Sequence, residues 1–121
     1  MLLNGGELDG VRILGPRTVE YMTKNHLPGN VDMSEFAEGK FSEEAYAGIG
    51  FGLGFAVKLD PVKNSNLGSE GEFYWSGAAS TLFWIDPKEE MIVIFLTQLM
   101  GNTDYDFRRE LQAIICSAIT D

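Results

Sequence analysis

Hydrophobic and polar positions alternate through the middle of the chain and change to a helical spacing near its end. Residues 48–57 alternate apolar side chains with glycines, which predicts one β-strand with five apolar side chains on one face: Ile49, Phe51, Leu53, Phe55 and Val57. The glycines would leave the other face bare, so that another backbone or ring could approach closely. The apolar residues from Phe107 to Ile119 recur at helical spacing and predict an amphipathic helix, with Thr103 or Asp104 placed to cap it.

Three further strands are predicted in the second half of the chain. Residues 72–78 and 81–86 are rich in aromatic and β-branched side chains, and a tight turn leads into the third strand, residues 91–97. That third strand is apolar on both faces, so we expect both faces to be covered. Phe95 should face Ile115 across a buried interface between this strand and the C-terminal helix.

The first part of the chain predicts less regular structure. A helix should begin at Pro16, which suits the first helical position, and end near Asn25, before Pro28. Residues 26–47 are polar and aperiodic, which predicts a long surface loop. Together these elements predict a single α+β domain over residues 1–121, in which an antiparallel sheet carries a C-terminal amphipathic helix and a short N-terminal helix.

The charge of the chain limits its partners. It has 18 acidic residues against 9 basic ones and a formal net charge of −9. Such a field repels phosphate backbones, and no basic stripe offsets it, so we expect no nucleic acid and no anionic membrane as a partner. The longest apolar run, Met91 to Leu96, is too short to span a bilayer, and the first residues lack the regions of a signal peptide. Periplasmic, secreted and cytoplasmic locations of a parent protein all stay open.

Common catalytic and metal-binding motifs are absent from the sequence. The only histidine, His26, lies at the entry to the polar loop, and no serine sits in a Gly-x-Ser-x-Gly motif, so a Ser-His-Asp triad is not predicted. One histidine and one cysteine are too few for a structural zinc site. The cysteine, Cys116, falls within an apolar helical pattern that predicts an inert, buried thiol. We therefore predict no metal and no cofactor.

One segment of small residues within the aromatic strands resembles a motif of known enzymes. Residues 76–79, Ser-Gly-Ala-Ala, lie beside Trp75 and leave room for a ligand along the backbone. This segment resembles the third conserved element of the serine β-lactamase and penicillin-binding-protein superfamily. Residues 14–22 and 50–55 are similar, in the same order, to segments of its class C-like members and related esterases. The resemblance covers essentially the whole chain.

The resemblance implies a role for each residue of the segment. Trp75, Ser76 and Gly77 occupy the place of the family's Lys-Thr/Ser-Gly triplet and, with Ala78, would bind the substrate. The backbone N–H of Ala78 would be one oxyanion-hole donor. Trp75 in place of lysine is more similar to the esterase and peptidase-related branch than to true β-lactamases.

The resemblance also implies that the chain is the C-terminal part of a larger serine hydrolase acting on a small acyl substrate. The family's Ser-x-x-Lys and Tyr-x-Asn motifs are absent here, so we predict no catalytic side chain in this chain and no activity when it is isolated. In the family, the strand matching residues 91–97 is flanked by a strand from the N-terminal part. We therefore expect a homo-oligomer or the missing N-terminal segment to pair there. An alternative stays open: a non-catalytic α+β module that binds a small ligand or a partner through the Trp75–Ser76 strand.

Overall fold

The structure is an α+β fold built on a five-stranded antiparallel sheet, which confirms the predicted fold class. The computed structural model describes residues 1–39, 44–101 and 105–120. The strands are β1 (Glu7–Leu8), β2 (Val11–Arg12), β3 (Ile49–Phe51), β4 (Ala56–Lys58), β5 (Phe73–Ser76), β6 (Leu82–Asp86) and β7 (Met91–Phe95). The helices are α1 (Pro16–Met22), α2 (Met33–Phe36), α3 (Pro61–Asn64) and α4 (Phe107–Ser117). β1 and β2 form a separate pair, and the large sheet has the order β3-β4-β5-β6-β7.

The glycine-rich run forms a hairpin, so the prediction of one continuous strand over residues 48–57 is wrong. The N–H of Gly52 donates to the carbonyl of Phe55 at 2.8 Å and closes the turn between β3 and β4. Gly54 has a φ of +93°, a conformation that favours glycine. A Cβ at Gly52 would lie 2.2 Å from the carbonyl oxygen of Met22. The bare glycine face does let another backbone approach, but a turn interrupts the alternation.

The polar loop and the helix ends differ in detail from the predictions. α1 ends at Met22 rather than near Asn25. The described part of residues 26–47 contains α2 and short 3-10 turns that include Pro28–Asn30 and Glu44–Tyr46. The side chain of Asp106 caps α4 by accepting a hydrogen bond from the N–H of Arg109. The predicted caps, Thr103 and Asp104, lie outside the described residues. No helix within the described ranges is long and apolar enough to cross a membrane.

The two faces of the sheet pack against different parts of the chain. On the first, here called the helix face, the buried residues Tyr74, Leu82 and Trp84 contact α4 through Phe107, Leu111 and Ile115. On the second, the opposite face, Val57, Phe73 and Ile85 are buried and contact Leu2 and Leu3 from the start of the chain. The core therefore lies in two layers around β4, β5 and β6.

β7 is covered on one face only, so the prediction that both faces are covered is wrong for this chain. On the opposite face, Ile92, Ile94 and Leu96 are 49%, 66% and 77% exposed. On the helix face, Phe95 packs with α4 but is half-buried, and so is Ile115, although both were predicted to be buried. The reason is that β7 is the edge strand of the described sheet, so no further strand covers the outer side of the contact between β7 and α4.

Candidate functional site

β5 extends beyond its neighbour β4 and leaves part of its backbone edge unpaired. β4 pairs with β5 only as far as Tyr74, whereas β6 pairs with β5 as far as Ser76. Beyond this point the N–H of Gly77 donates to the carbonyl of Thr81 at 2.8 Å, toward the β6 side. Because successive residues of a strand point their backbone groups to opposite sides, the N–H and C=O of Ser76 are directed to the free edge.

The connection from β5 to β6 exposes a second backbone donor. The N–H of Ser80 donates to the carbonyl of Gly77 at 3.0 Å and closes a tight turn that contains Ala78. The N–H of Ala78 has no acceptor among the described residues. The turn is held in place because the hydroxyl of Ser80 donates to the carbonyl of Leu99 at 2.7 Å. Ala78 therefore offers a free donor on a fixed turn.

An apolar cavity of about 290 Å³ lies beside this strand. Its lining contains no charged residue: Trp75, Ser76, Gly77, Thr81, Leu82, Phe83, Ile94 and Leu96. The half-buried ring of Trp75 packs edge-on against Phe51, with ring centroids 5.2 Å apart. Three of the four predicted site residues thus line one cavity, and Ala78 follows them on the adjoining turn.

Ser76 also borders a second, polar cavity of about 200 Å³ on the helix face. Arg108 and Arg109 of α4 contribute to it, together with Tyr46 and Asn64. The exposed Ser76 therefore lies between an apolar cavity and a cavity with two guanidinium groups. A ligand placed along β5 would meet both environments.

A buried polar network beneath the strand was not predicted from the sequence. Glu72, directly before β5, is fully buried. Its carboxylate accepts hydrogen bonds from Gln112 Nε2 at 2.7 and 2.8 Å and from Arg108 at 2.5 Å, and it lies 3.4 Å from Lys58 Nζ. The Lys58 ammonium also donates to the carbonyl of Leu67. The network joins β4, β5 and α4.

Attraction between the opposite charges of this network offsets part of the cost of burying them. Burial raises the pKa of Glu72, against the lowering effect of Arg108 and Lys58. Burial lowers the pKa of Lys58, against the raising effect of Glu72. The guanidinium carbon of Arg108 lies 3.3 Å from the centroid of the Tyr74 ring, a cation–π contact. These groups support β5 from behind, and a charged residue inside an apolar strand, as at Lys58, is the sequence signal that could have revealed them.

Other reactive side chains lie away from this strand or have structural partners. The Nε2 of His26 is 2.7 Å from the carbonyl of Tyr21. The Cys116 thiol is half-buried, and burial raises its pKa, which disfavours the reactive thiolate. Within the described ranges, no three His, Cys, Asp or Glu residues are placed to hold a metal ion.

Comparison with known proteins identifies the family of this chain. The sequence profile of the Beta-lactamase family matches residues 6–116. The chain belongs to the beta-lactamase family. Protein Rv1367c of Mycobacterium tuberculosis (strain H37Rv) and protein MT1414 of strain CDC 1551 are each 37% identical to it over 109 residues, which are 88% of this chain and 26% of the relative. The chain thus spans about a quarter of the length of these relatives.

Solved structures with the same fold agree with this membership of the beta-lactamase family. EstCE1, described as a hydrolase with promiscuous acyltransferase activity, is 26% identical with a TM-score of 0.62, over 91% of this chain and 25% of its own. Simvastatin synthase (LovD) from Aspergillus terreus shares the fold at 23% identity and a TM-score of 0.70, over 94% of this chain and 31% of its own. The family resemblance inferred from the sequence is confirmed.

Proposed function

We propose that this chain is the substrate-side part of a β-lactamase-like serine hydrolase. In this proposal an acyl substrate lies along the free edge of β5, and the nucleophile belongs to polypeptide outside these 121 residues. The observation that carries the proposal is the unpaired edge itself, where exposed Ser76 is followed by the free N–H of Ala78 on a fixed turn.

The proposed chemistry uses the backbone more than the side chains. Attack on an acyl carbonyl places negative charge on its oxygen, and a fixed N–H directed at that oxygen stabilises the transition state by about 3 kcal/mol. Ala78 would supply that donor, and the Ser76 hydroxyl would bind the substrate nearby. A Cβ at Gly77 would lie 2.5 Å from the Thr81 hydroxyl, so this position next to the free edge favours glycine.

The nucleophile is assigned elsewhere for a chemical reason. A serine hydroxyl is a weak nucleophile unless neighbouring groups activate it, and in this family the lysine of Ser-x-x-Lys helps to activate it. None of the seven serines of this chain has a lysine three residues later. Ser76 therefore has a binding role in the proposal.

The cavity next to the strand favours substrates with an apolar acyl group. Its lining has no charge to pair with a substrate carboxylate, and Trp75 stands where the lysine of β-lactamases is expected. The guanidinium groups of the polar cavity already have partners, Glu72 for Arg108 and the carbonyl of Ser65 for Arg109. Acyl esters or thioesters fit this surface better than anionic β-lactams. The description of EstCE1 as a hydrolase and acyltransferase supports acyl chemistry in a relative.

The test uses a chimera in which this chain replaces the matching part of Protein Rv1367c, screened on p-nitrophenyl esters of increasing acyl length. Ala78→Pro removes the proposed donor, and proline suits the second position of the turn, so the fold should persist. We expect kcat to fall by about 10²- to 10³-fold. Ala79→Ser keeps every backbone N–H and should leave kcat within about twofold. Unchanged turnover in Ala78→Pro would refute the donor, and a folded chimera inactive on every ester would refute the substrate class.

A further inference from the structure

Three side chains form a row across the apolar cavity on the opposite face of the sheet. Trp75 of β5 pairs with Phe83 of β6, and Phe83 pairs with Ile94 of β7. Residues that face each other in antiparallel strands point to the same side of the sheet. All three side chains line the cavity, with Phe83 in the middle of the row. Trp75 is the end of the row that lies nearest the free edge of β5.

The ring of Trp75 also contacts a residue that belongs to the helix face. Phe51 packs against the buried cluster of that face, as does Ile49 two residues before it. The rings of Phe51 and Trp75 have centroids 5.2 Å apart and planes at 84°. β4 begins at Ala56, opposite Tyr74, so it does not extend between these two rings. The Trp75 ring therefore separates the apolar cavity from the helix face at this end of the sheet.

Phe51 itself is held in place by the segment that precedes β3. Its N–H donates to Asn25 Oδ1 at 3.0 Å, and its carbonyl accepts a hydrogen bond from the N–H of His26 at 2.8 Å. At the neighbouring Gly50, a Cβ would lie 2.5 Å from Asn25 Oδ1, so the two segments are already in close contact. The backbone of Phe51 is thus fixed, and its ring can fix the ring of Trp75 in turn.

The position of Phe51 determines the direction in which Trp75 can move. The Phe51 ring lies on the side of Trp75 that faces away from the cavity. When a packed ring is truncated, its neighbours relax partly into the space that it leaves. Without the Phe51 ring, Trp75 would move toward the helix face and the cavity would become longer at that end.

We propose that Phe51 is a positioning residue that sets the length of the acyl group by holding Trp75 as the end wall of the apolar cavity. The inference rests on the proposed function, because it places a neutral acyl group in this uncharged cavity. Each CH2 buried there should tighten binding about fourfold until the chain reaches the Trp75 ring. Further CH2 groups should then add nothing.

The first experiment titrates the isolated chain with methyl esters of straight-chain acids, from butanoate to decanoate, and follows tryptophan fluorescence. In the proposed function this chain carries no nucleophile, so the esters stay intact. Trp75 and Trp84 are its two tryptophans, and Trp84 is 0% exposed, so the change in emission reports on Trp75. The Kd should fall with chain length and then level off. In Phe51→Ala it should level off at a longer ester, which binds at least about fourfold more tightly than it does to the unmodified chain.

Two variants separate positioning from general stability. Phe51→Tyr keeps the ring and should level off at the same ester as the unmodified chain. Phe107→Ala is the matched control, because Phe107 is also half-buried but packs on Phe95, with centroids 5.3 Å apart. It should lower the urea unfolding midpoint without changing the preferred length. Acrylamide quenching of Trp75 should rise in Phe51→Ala and stay unchanged in Phe107→Ala. If Phe51→Ala does not fold, Phe51→Leu replaces it and should shift the preference in the same direction.

The second experiment measures kcat/KM of the Rv1367c chimera on p-nitrophenyl esters of the same acids. Phe51→Ala should move the optimum to a longer acyl group, as it does in binding. The proposal would be overturned if the isolated chain bound none of the esters, if Phe51→Ala kept the original length, or if Phe107→Ala gave the same shift. Because binding is measured without turnover, an inactive chimera alongside the expected shift in binding would count against the proposed function alone.

Discussion

Replacing Glu72 with leucine should destabilise the protein by about 3 to 5 kcal/mol, the cost of breaking a buried ion pair from one side. Glu72 and Lys58 are both 0% exposed, and the carboxylate also accepts the hydrogen bonds of Gln112 and Arg108. Leucine would leave the Lys58 ammonium with the Leu67 carbonyl as its remaining partner. Domains of this size are stable by about 5 to 15 kcal/mol, so the loss would be a large share.

A double-mutant cycle tests the cause of that loss. Lys58→Met removes the buried cation, so the combination of Lys58→Met with Glu72→Leu should cost less than the sum of the single changes, by about 1 to 3 kcal/mol. Urea unfolding followed by tryptophan fluorescence measures each free energy of unfolding. The control is Glu70→Leu, at an exposed glutamate two residues away, which should change stability by about 0.5 kcal/mol or less. A Glu72→Leu cost below about 1 kcal/mol, or strictly additive single changes, would refute the reasoning.

Three further changes test the packing and electrostatics of the fold. Burial alone would raise the pKa of Asp32, but the hydrogen bonds that its carboxylate accepts hold that pKa well below the ordinary value. The ionised carboxylate therefore stabilises the fold above about pH 4, and this stabilisation is lost as the pH falls. Asp32→Asn should lower the urea unfolding midpoint at pH 7 and make that midpoint decline less steeply in acid. Gly52→Ala would set a Cβ 2.2 Å from the Met22 carbonyl oxygen and should cost more than about 2 kcal/mol. In the control Gly15→Ala the Cβ is 3.5 Å from its nearest atom, so the change should cost about 1 kcal/mol or less, which is the loss expected at the N-cap of α1. Phe95→Ala should cost about 2 kcal/mol, less than the 3 to 5 kcal/mol typical of fully buried phenylalanines, because Phe95 is half-buried.

The strands and the final helix could be predicted because their signals are local. Alternation and aromatic content marked β5 and β6, and helical spacing marked α4. The hairpin between β3 and β4 was missed because its two strands continue the same alternation through the turn. The positive φ of Gly54 and the approach of Met22 to Gly52 depend on tertiary structure, which periodicity does not report.

The candidate site was predictable as far as its sequence motif extends. The segment from Trp75 to Ala78 was located by its small residues, and the structure adds that it lies on an unpaired edge. The network behind it was not predictable, because Lys58, Glu72 and Gln112 are far apart in the sequence and meet only when α4 packs on the sheet. The apolar pattern of β7 shows that both of its faces need cover, but it does not show which polypeptide supplies that cover.

The most direct test of the central claim, that this chain carries the substrate-side strand without the nucleophile, is to locate the reactive serine. A fluorophosphonate, which modifies activated serines, is added to the isolated chain and to the Rv1367c chimera, and the adducts are located by mass spectrometry. The account predicts no adduct on any of the seven serines of this chain and one adduct in the chimera outside these 121 residues. A stoichiometric adduct on Ser76 would contradict it.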